Sequence, residues 1–291
     1  MNRTLPRKIT TDETHAFARD GVVVLRGMFD ADWIALLDEG LRRSRAAPTA
    51  RAQTWDRTVG DNGETLETFY DSQAWLRVPA YRQFIEESPC AELAGRIMGS
   101  GAVNFFFDAV FCRSAGAQFR TPWHQDEPYW SVEGLQTCSV WMPLVPVAAK
   151  SALAVVPGSH RWAKVFRQVD FGEFNADGKA DAPHSDFSVL ADAPDLPDID
   201  AEPETYRPVS FDMEPGDALV FNGRCIHGGS GLLDAGRDLR VFNTKWCGDD
   251  VRVSFKPWGM DPDHSRVMTD AGLVPGDRLG GELYPRLWER S

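Results

Sequence analysis

The first part of the chain carries two helical patterns on either side of a short apolar run. Thr11-Asp12-Glu13 supplies a helix cap with acidic first-turn residues, which predicts a helix from Thr11 to about Arg19. The four apolar residues 22–25 predict a buried strand. A second helix is expected to start at Asp30, because apolar residues then recur at helical spacing, at Trp33, Leu36, Leu37 and Leu41.

Between residues 46 and 101 the helical pattern stops and then returns. Residues 46–67 are polar and rich in Gly, Asp and Thr, which predicts a long loop. Residues 72–98 have helical spacing that Pro79 and Pro89 interrupt and that Gly99 ends. With residues 1–10 as a loose tail, this part of the chain is expected to form a helical layer.

After Gly101 the pattern changes to short runs of β-branched and aromatic residues, which predict strands. The runs cover residues 103–112, 118–126, 137–147, 153–156, 209–213, 218–221 and 239–246. Short strands separated by turns are typical of an antiparallel sandwich or barrel. Residues 160–208, rich in Asp, Ala and Pro, are expected to be a surface loop or lid. We therefore predict one α+β domain, mainly β, over residues 1–291.

Composition and charge argue against several classes of protein. The formal net charge of −12 disfavours nucleic acid or an anionic membrane surface as a partner. The five cysteines are widely spaced without a CxxC pair, which argues against a disulfide framework and favours a reducing, cytoplasmic setting. No signal-peptide pattern and no membrane span of ~18 apolar residues is visible.

The candidate chemistry lies in Thr121–Asp126, where an imidazole and a carboxylate stand two residues apart. On an extended strand, His124 and Asp126 would point to the same side. A third ligand is available in His227, which follows the predicted strand 218–221 and precedes glycines that leave room for a close approach. The other histidines are expected to be solvated, structural or turn-capping, namely His15, His160, His184 and His264.

Two histidines and one carboxylate form the facial ligand set of non-haem Fe(II) oxygenases, which leaves coordination positions open. Zinc with the same three ligands and a water fits these residues equally well. Glu127 would point to the opposite face from Asp126 and is interpreted as non-ligating. Cys225, two residues from His227, is expected to be a small buried filler rather than a thiolate ligand.

Several short motifs together resemble the phytanoyl-CoA dioxygenase family. Residues 121–130, TPWHQDEPYW, resemble the family's iron-binding segment, and residues 227–231, HGGSG, resemble its distal histidine turn. Three further motifs match, SVWMPL at 139–144, VPGSH at 156–160 and PGD at 215–217. The motifs occur in the family's order over roughly residues 20 to 255.

The resemblance implies a double-stranded β-helix (jelly roll, cupin-like) that binds Fe(II) and uses 2-oxoglutarate and O₂ as co-substrates. His124, Asp126 and His227 match the family's iron ligands, which are also its catalytic centre. Trp141 matches an aromatic position that lines the co-substrate pocket. Tyr129 and Trp130 are expected to line the substrate cavity.

The family also places an arginine shortly after the distal histidine, where it pairs with the far carboxylate of 2-oxoglutarate. A guanidinium suits this task because its planar fork grips a carboxylate with two hydrogen bonds. We favour Arg240, which begins the predicted strand 239–246, and keep Arg237 as the alternative, assisted by Ser230. Arg113 and Arg120 flank the proximal strand, where they could help hold a carboxylate, although arginines near strand ends are more often surface residues.

The implied activity is oxidation of an unactivated C–H bond of a small organic molecule, with release of succinate and CO₂. The presence of Asp126 favours hydroxylation, because iron- and 2-oxoglutarate-dependent halogenases carry Gly or Ala at that position. Two other functions stay open at this stage, a metal-dependent cupin hydrolase or isomerase and a non-catalytic binding protein of the same fold. The resemblance selects no particular substrate and no oligomeric state.

Overall fold

The structure is a computed structural model. It describes residues 1–59, 63, 65–117, 120–162, 164–169, 193–229, 237–257, 260 and 263–290, with the backbone alone for 55–58.

The four longer helices lie within residues 11–98, and two short helices follow later in the chain. Thr10 caps α1 with its side chain, and the chain leaves α1 through Gly21, which has a left-handed φ of 72°. Asp30 accepts a hydrogen bond from the Trp33 amide and so caps α2, as predicted. The helices are α1 (Thr11–Asp20), α2 (Ala31–Ala46), α3 (Pro79–Glu87), α4 (Cys90–Met98), α5 (Pro203–Tyr206) and α6 (Ser265–Asp270).

Twelve strands are present in the described part of the chain, and most of them belong to one antiparallel sheet. They are β1 (Val22–Leu25), β2 (Gln53–Val59), β3 (Thr65–Ser72), β4 (Ala102–Arg113), β5 (Val132–Glu133), β6 (Thr137–Pro143), β7 (Leu153–Val155), β8 (Ala218–Asn222), β9 (His227–Gly229), β10 (Leu239–Cys247), β11 (Arg252–Val253) and β12 (Arg286–Glu289). The order across the large sheet is β1-β8-β6-β10-β4-β3-β2, and β12 pairs with β4.

The face of the large sheet that packs on the helices forms the main core. On β10, Phe242 lies against Tyr81 and Phe84 of α3, with ring centroids 4.6 and 5.6 Å away. Side chains alternate along a strand, so the neighbouring residues of β10 point to the other face. That other face is closed by a smaller layer, in which β7 pairs with β9.

The smaller layer also contains three isolated bridges. His124 pairs with His227, Val147 pairs with Met213, and Val155 pairs with Val209. The large sheet and this smaller layer therefore enclose the space between β10 and β9.

Several local predictions were wrong. Residues 46–67, expected to be a loop, contain β2 and the start of β3, because Gln53 to Val59 pair along Thr65 to Tyr70. Residues 1–10 are docked rather than loose, since the Asn2 carbonyl accepts a hydrogen bond from Trp33 Nε1 at 2.7 Å. Residues 209–213 form single bridges and no regular strand.

The predicted strand 118–126 is also absent from the described residues of that range. His124 makes one bridge, and Asp126 has helical dihedrals (φ −76°, ψ −44°) before a 3-10 turn over Glu127–Tyr129. About half of the expected surface loop 160–208, including His184, lies outside the described residues. No helix in the described part of the chain has the length and apolar character that a membrane crossing requires.

Candidate metal centre and cavity

His124, Asp126 and His227 meet at one point between the two layers. Asp126 Oδ1 lies 3.5 Å from His124 Nε2 and 3.6 Å from His227 Nε2. One ligand atom from each residue lies within 4.8 Å of the others, which makes the group a candidate site for a single metal ion. The prediction that these three side chains converge agrees with this geometry, although its assumption of an extended strand does not.

The main chain holds the two histidines together. His124 and His227 exchange both backbone hydrogen bonds, each at 2.9 Å. Because the residues form a direct antiparallel pair, their imidazoles lie side by side, with ring centroids 4.1 Å apart.

Each imidazole is also fixed in orientation. His124 Nδ1 lies 2.8 Å from the Pro122 carbonyl, and His227 Nδ1 lies 3.0 Å from the Cys225 carbonyl. A carbonyl only accepts hydrogen bonds, so each Nδ1 must carry the proton and donate. Each Nε2 is then left with a lone pair on the side of Asp126, which is the arrangement of metal-ligating histidines.

Asp126 is held by a neighbour that sequence analysis did not single out. Ser139 Oγ on β6 donates to Asp126 Oδ2 at 3.0 Å, which leaves Oδ1 directed at the histidines. The signal for this residue was present in the motif at 139–144. Its inward direction on β6 could not be known before the strand register was.

Electrostatics keep His227 and Asp126 in their metal-binding forms. Burial lowers the pKa of His227 to about 3, so its imidazole is neutral at neutral pH. Burial alone would raise the pKa of Asp126, but the neighbouring His227 and His124 and the charge of Lys245 outweigh it and leave that pKa below its usual range. A neutral imidazole and an ionised carboxylate need no proton removed before they bind a cation.

The three side chains open into a cavity of about 180 Å³. It has room for a small organic acid beside a metal ion. The cavity's charged residues, among those described, are Arg113, Asp126 and Lys245. The remaining walls are mainly apolar or aromatic and include Phe107, Phe111, Tyr129, Trp130, Trp141, Leu153, Phe221, Leu239 and Val241.

Part of the expected surface loop covers the metal segment. The Tyr129 hydroxyl accepts a hydrogen bond from the Val169 amide at 2.8 Å and donates one to the Val169 carbonyl at 2.9 Å. The Gln125 side chain donates to the Lys164 carbonyl and accepts from the Phe166 amide, each at 3.2 Å. Residues 164–169 are therefore fixed over the segment that carries His124 and Asp126.

The arginines predicted to bind 2-oxoglutarate lie elsewhere. Arg240 points from β10 to the face of the large sheet that packs on the helices, where it forms an ion pair with Asp38 of α2. Arg237 is exposed and donates to the Pro146 carbonyl at 3.3 Å. Neither residue lines the cavity, and Ser230 lies outside the described residues.

The error for Arg240 has a simple cause. Side chains alternate along β10, and Leu239, Val241, Asn243 and Lys245 are the ones that reach the cavity. Both faces of this strand are buried, so the sequence pattern does not show which set points inward.

For Arg113, the surface position that the sequence favoured is wrong. Its side chain is 2% exposed and lines the cavity at the end of β4. Arg120, in contrast, is at the surface, where it forms an ion pair with Asp200 at 2.6 Å.

Two neighbours of the triad are excluded as ligands. Glu127 forms an ion pair with Arg224, whose Nη2 lies 2.9 Å from Glu127 Oε1. Burial raises the pKa of the Cys225 thiol to about 12, so no thiolate is available there at neutral pH. The donor set is therefore two imidazole nitrogens and one carboxylate oxygen, which fits Fe(II) with positions left for further ligands.

The chain is similar to a known protein family and to several solved structures. The family model of phytanoyl-CoA dioxygenase (PhyH) matches residues 17–233. Among solved structures, the non-heme alpha ketoglutarate dependent carbocyclase SnoK from nogalamycin biosynthesis is similar at a TM-score of 0.70 and 15% identity, and the match covers 99% of this chain and 100% of SnoK.

Two further structures carry bound ligands. The epimerase SnoN in complex with Fe³⁺, alpha ketoglutarate and nogalamycin RO is similar at a TM-score of 0.65 and 19% identity, over 95% of this chain and 98% of SnoN. EctD from S. alaskensis with 2-oxoglutarate and 5-hydroxyectoine is similar at 0.61 and 19%, over 90% of this chain and 86% of EctD.

These likenesses confirm the predicted fold class, a mainly β jelly roll with N-terminal helices. The family match spans most of the chain and includes all three candidate metal ligands. The chain therefore belongs to the phytanoyl-CoA dioxygenase family and is an oxidoreductase of the Fe(II)- and 2-oxoglutarate-dependent class.

Proposed function

We propose that the protein hydroxylates, or otherwise oxidises, an unactivated C–H bond of a small organic molecule. The observation that carries the proposal is the convergence of His124, Asp126 and His227 on one cavity with their ligand atoms within 4.8 Å. When bound there, Fe(II), 2-oxoglutarate and O₂ supply the oxidising chemistry, with succinate and CO₂ as co-products.

The chain's own residues position the reaction. His124 Nε2, His227 Nε2 and Asp126 Oδ1 would hold the iron, and Ser139 keeps the carboxylate turned towards it. With iron bound, the carboxylate would take a coordination position that would otherwise be open to another anion, which favours hydroxylation over halogenation.

The walls of the cavity keep the reacting centre dry. Trp141, which is 6% exposed, contributes to the wall on which we place the co-substrate. We place the substrate next to Tyr129 and Trp130, which follow Asp126 directly and line the same cavity.

Lys245 adds a polar group to the substrate side. It pairs in register with Ser139, so its side chain lies at the level of Asp126, and its Nζ is 5.3 Å from the centre of the Phe107 ring. A largely apolar substrate with one oxygen acceptor would suit this combination of aromatic walls and an ammonium group. Screening such compounds for stimulated succinate release tests this choice.

The central experiment uses the iron–2-oxoglutarate chelate as its signal. Anaerobic addition of Fe(II) and 2-oxoglutarate to the wild-type protein is expected to give the weak visible charge-transfer band of the chelate. His124→Ala, Asp126→Ala and His227→Ala should each abolish the band, because each removes one of three ligands. His15→Ala, on the exposed part of α1, is the matched control and should leave it unchanged.

Persistence of the band in all three triad variants would show that the metal binds elsewhere. A protein that binds zinc or manganese and converts a substrate without 2-oxoglutarate would be a cupin hydrolase or isomerase instead. Absence of succinate formation with every substrate, despite a normal band, would favour a binding protein.

We also propose that residues 1–291 act as one catalytic domain in the cytoplasm, without nucleic acid or membrane as a partner. The helices and the large sheet share one apolar core. All five cysteines are buried thiols, which suits a reducing compartment.

A further inference from the structure

The cavity has two ends, which the strand registers define. At one end, Lys245 pairs with Ser139, and Ser139 contacts the metal ligand Asp126. At the other end of β10, Leu239 pairs with Arg113 of β4. The metal centre and the Leu239–Arg113 pair thus lie at different levels of the same cavity.

The smaller layer shows the same division. Val155 pairs with His227 at the metal, and two residues further on Leu153 pairs with Gly229. Thr121 lies against Gly229, whose amide donates to the Thr121 carbonyl at 2.9 Å. Leu153, Gly229 and Thr121 all line the cavity.

The end of the cavity away from Lys245 is where the family resemblance places an arginine on the strand after the distal histidine. In this chain the inward residue at the start of that strand is Leu239. Residues 230–236 contain no arginine or lysine, and Arg237 and Arg240 lie outside the cavity. The strand that normally supplies the guanidinium therefore offers none here.

We propose, on the basis of the function proposed above, that Arg113 of β4 binds the far carboxylate of 2-oxoglutarate in this protein. Arg113 is the direct cross-strand partner of Leu239, so its guanidinium enters the cavity from the neighbouring strand at the same level. Among the described residues that line the cavity, Arg113 is the one arginine, and it is 2% exposed.

Charge and shape both favour Arg113 over Lys245 for this role. A guanidinium stays charged when buried and meets a carboxylate with two parallel hydrogen bonds, whereas an ammonium is a single point donor. Lys245 is also on the wrong side, since it pairs with Ser139, which contacts the metal ligand Asp126. The far carboxylate of a chelating 2-oxo acid extends away from the metal and its ligands.

The test measures affinity, not turnover. Fe(II)-loaded protein is titrated anaerobically with 2-oxoglutarate and, separately, with 2-oxobutanoate, which chelates iron but lacks the far carboxylate. The charge-transfer band reports both dissociation constants. Arg113→Met is expected to weaken 2-oxoglutarate binding about 100-fold and to leave 2-oxobutanoate binding unchanged, because only the former loses a charge-assisted pair.

Arg113→Lys keeps the charge but not the fork, and is expected to weaken 2-oxoglutarate about tenfold. Circular dichroism checks that each variant folds. If Arg113→Met does not fold, Arg113→Lys provides the test. Arg240→Met is the matched control and should bind both acids like the wild type. Unchanged 2-oxoglutarate affinity in either Arg113 variant, or a selective loss in Arg240→Met, would overturn the assignment. A missing band in the wild type would instead count against the proposed function.

Discussion

At the scale of single residues, the metal centre depends on side chains that do not bind metal. Asp126 can present either carboxylate oxygen, and the hydrogen bond from Ser139 to Oδ2 selects Oδ1 for the histidines. The carbonyls of Pro122 and Cys225 accept hydrogen bonds from the Nδ1 atoms of the two imidazoles and so leave each Nε2 free to bind metal. These contacts decide whether three suitable residues act as one ligand set.

Ser139→Ala is expected to lower Fe(II) affinity by about 10- to 100-fold, the usual cost of removing a hydrogen bond that orients a metal ligand. Anaerobic titration of the apoprotein with Fe(II) in the presence of excess 2-oxoglutarate, followed through the charge-transfer band, measures this. Ser151→Ala removes a hydroxyl that lines the cavity but does not contact the triad, and should leave iron affinity unchanged. Equal affinities for wild type and Ser139→Ala would mean that Asp126 is oriented by something else.

The residue scale also shows how far the sequence alone could go. His124, Asp126 and His227 could be selected because their type and spacing match a chemical task. The direction of an arginine on a strand buried on both faces could not, because a shift of one residue exchanges inward and outward positions. Arg240 and Arg113 were assigned to the wrong environments for this reason, and pairing with Asp38 and Leu239 corrected both.

At the scale of elements, β9 brings the distal histidine against the proximal segment through two glycines. A Cβ on Gly228 would lie 3.1 Å from the Trp123 ring and 3.2 Å from the Thr121 carbonyl oxygen. Both distances are shorter than ordinary contacts, so with a larger residue here the two segments would have to move apart by a few tenths of an ångström. The close approach allows His124 and His227 to exchange backbone hydrogen bonds.

Gly228→Ala is therefore expected to push Trp123 and the Thr121 carbonyl away and to separate the two imidazoles. We expect about a tenfold loss of Fe(II) affinity, since ligand geometry must hold within a few tenths of an ångström. Gly280→Ala, where a Cβ would meet nothing within 4 Å, is the control for a new methyl group. Wild-type iron affinity in Gly228→Ala would show that the contact relaxes without moving His124.

Helices and strands were predicted well where the segment's own sequence has one clear hydrophobic periodicity. They were predicted poorly where the structure depends on pairing with distant segments. The bounds of α1, β1 and β8 follow from caps and short apolar runs within the segments themselves. The hairpin of β2 and β3 was missed because its polar sequence has no apolar face, and its order comes from the pairing of β3 with β4. The segment before Asp126 was expected to be a strand, but its turn at Asp126 is set by the amides of Asp126 and Glu127 donating to the Gly223 carbonyl.

At the scale of the whole molecule, a buried histidine joins the C-terminal segment to the sheet. His264 is fully buried, contacts the Gln73 side chain, and has its Nδ1 3.1 Å from the Tyr284 hydroxyl. Its ring also packs 5.0 Å from that of Phe106 on β4. The sequence suggested only a solvated or structural role, because nothing local shows that a polar tail folds back over β4.

This burial makes global stability depend on pH. Burial lowers the pKa of His264 to about 3, while the unfolded chain has an ordinary histidine pKa near 6.5. Its contribution to stability is therefore full above about pH 6.5 and is lost progressively as the pH falls towards 3. Asp108 acts in the opposite direction, because burial raises its pKa to about 7 and its contribution is lost as the pH rises through 7.

Comparing the unfolding free energies of the wild type and a His264→Gln variant separates the effect of His264 from that of groups such as Asp108. His264→Gln keeps a polar partner for Tyr284 but does not titrate. Between pH 7.5 and pH 5.5, the wild-type apoprotein should lose about 1 kcal/mol more unfolding free energy than His264→Gln. Urea denaturation at both pH values, in the absence of metal so that His227 contributes equally to both proteins, measures this. Parallel losses in the two proteins would mean that His264 is accessible to protons in the folded state, and the C-terminal segment would then not be held on the sheet by a neutral buried imidazole.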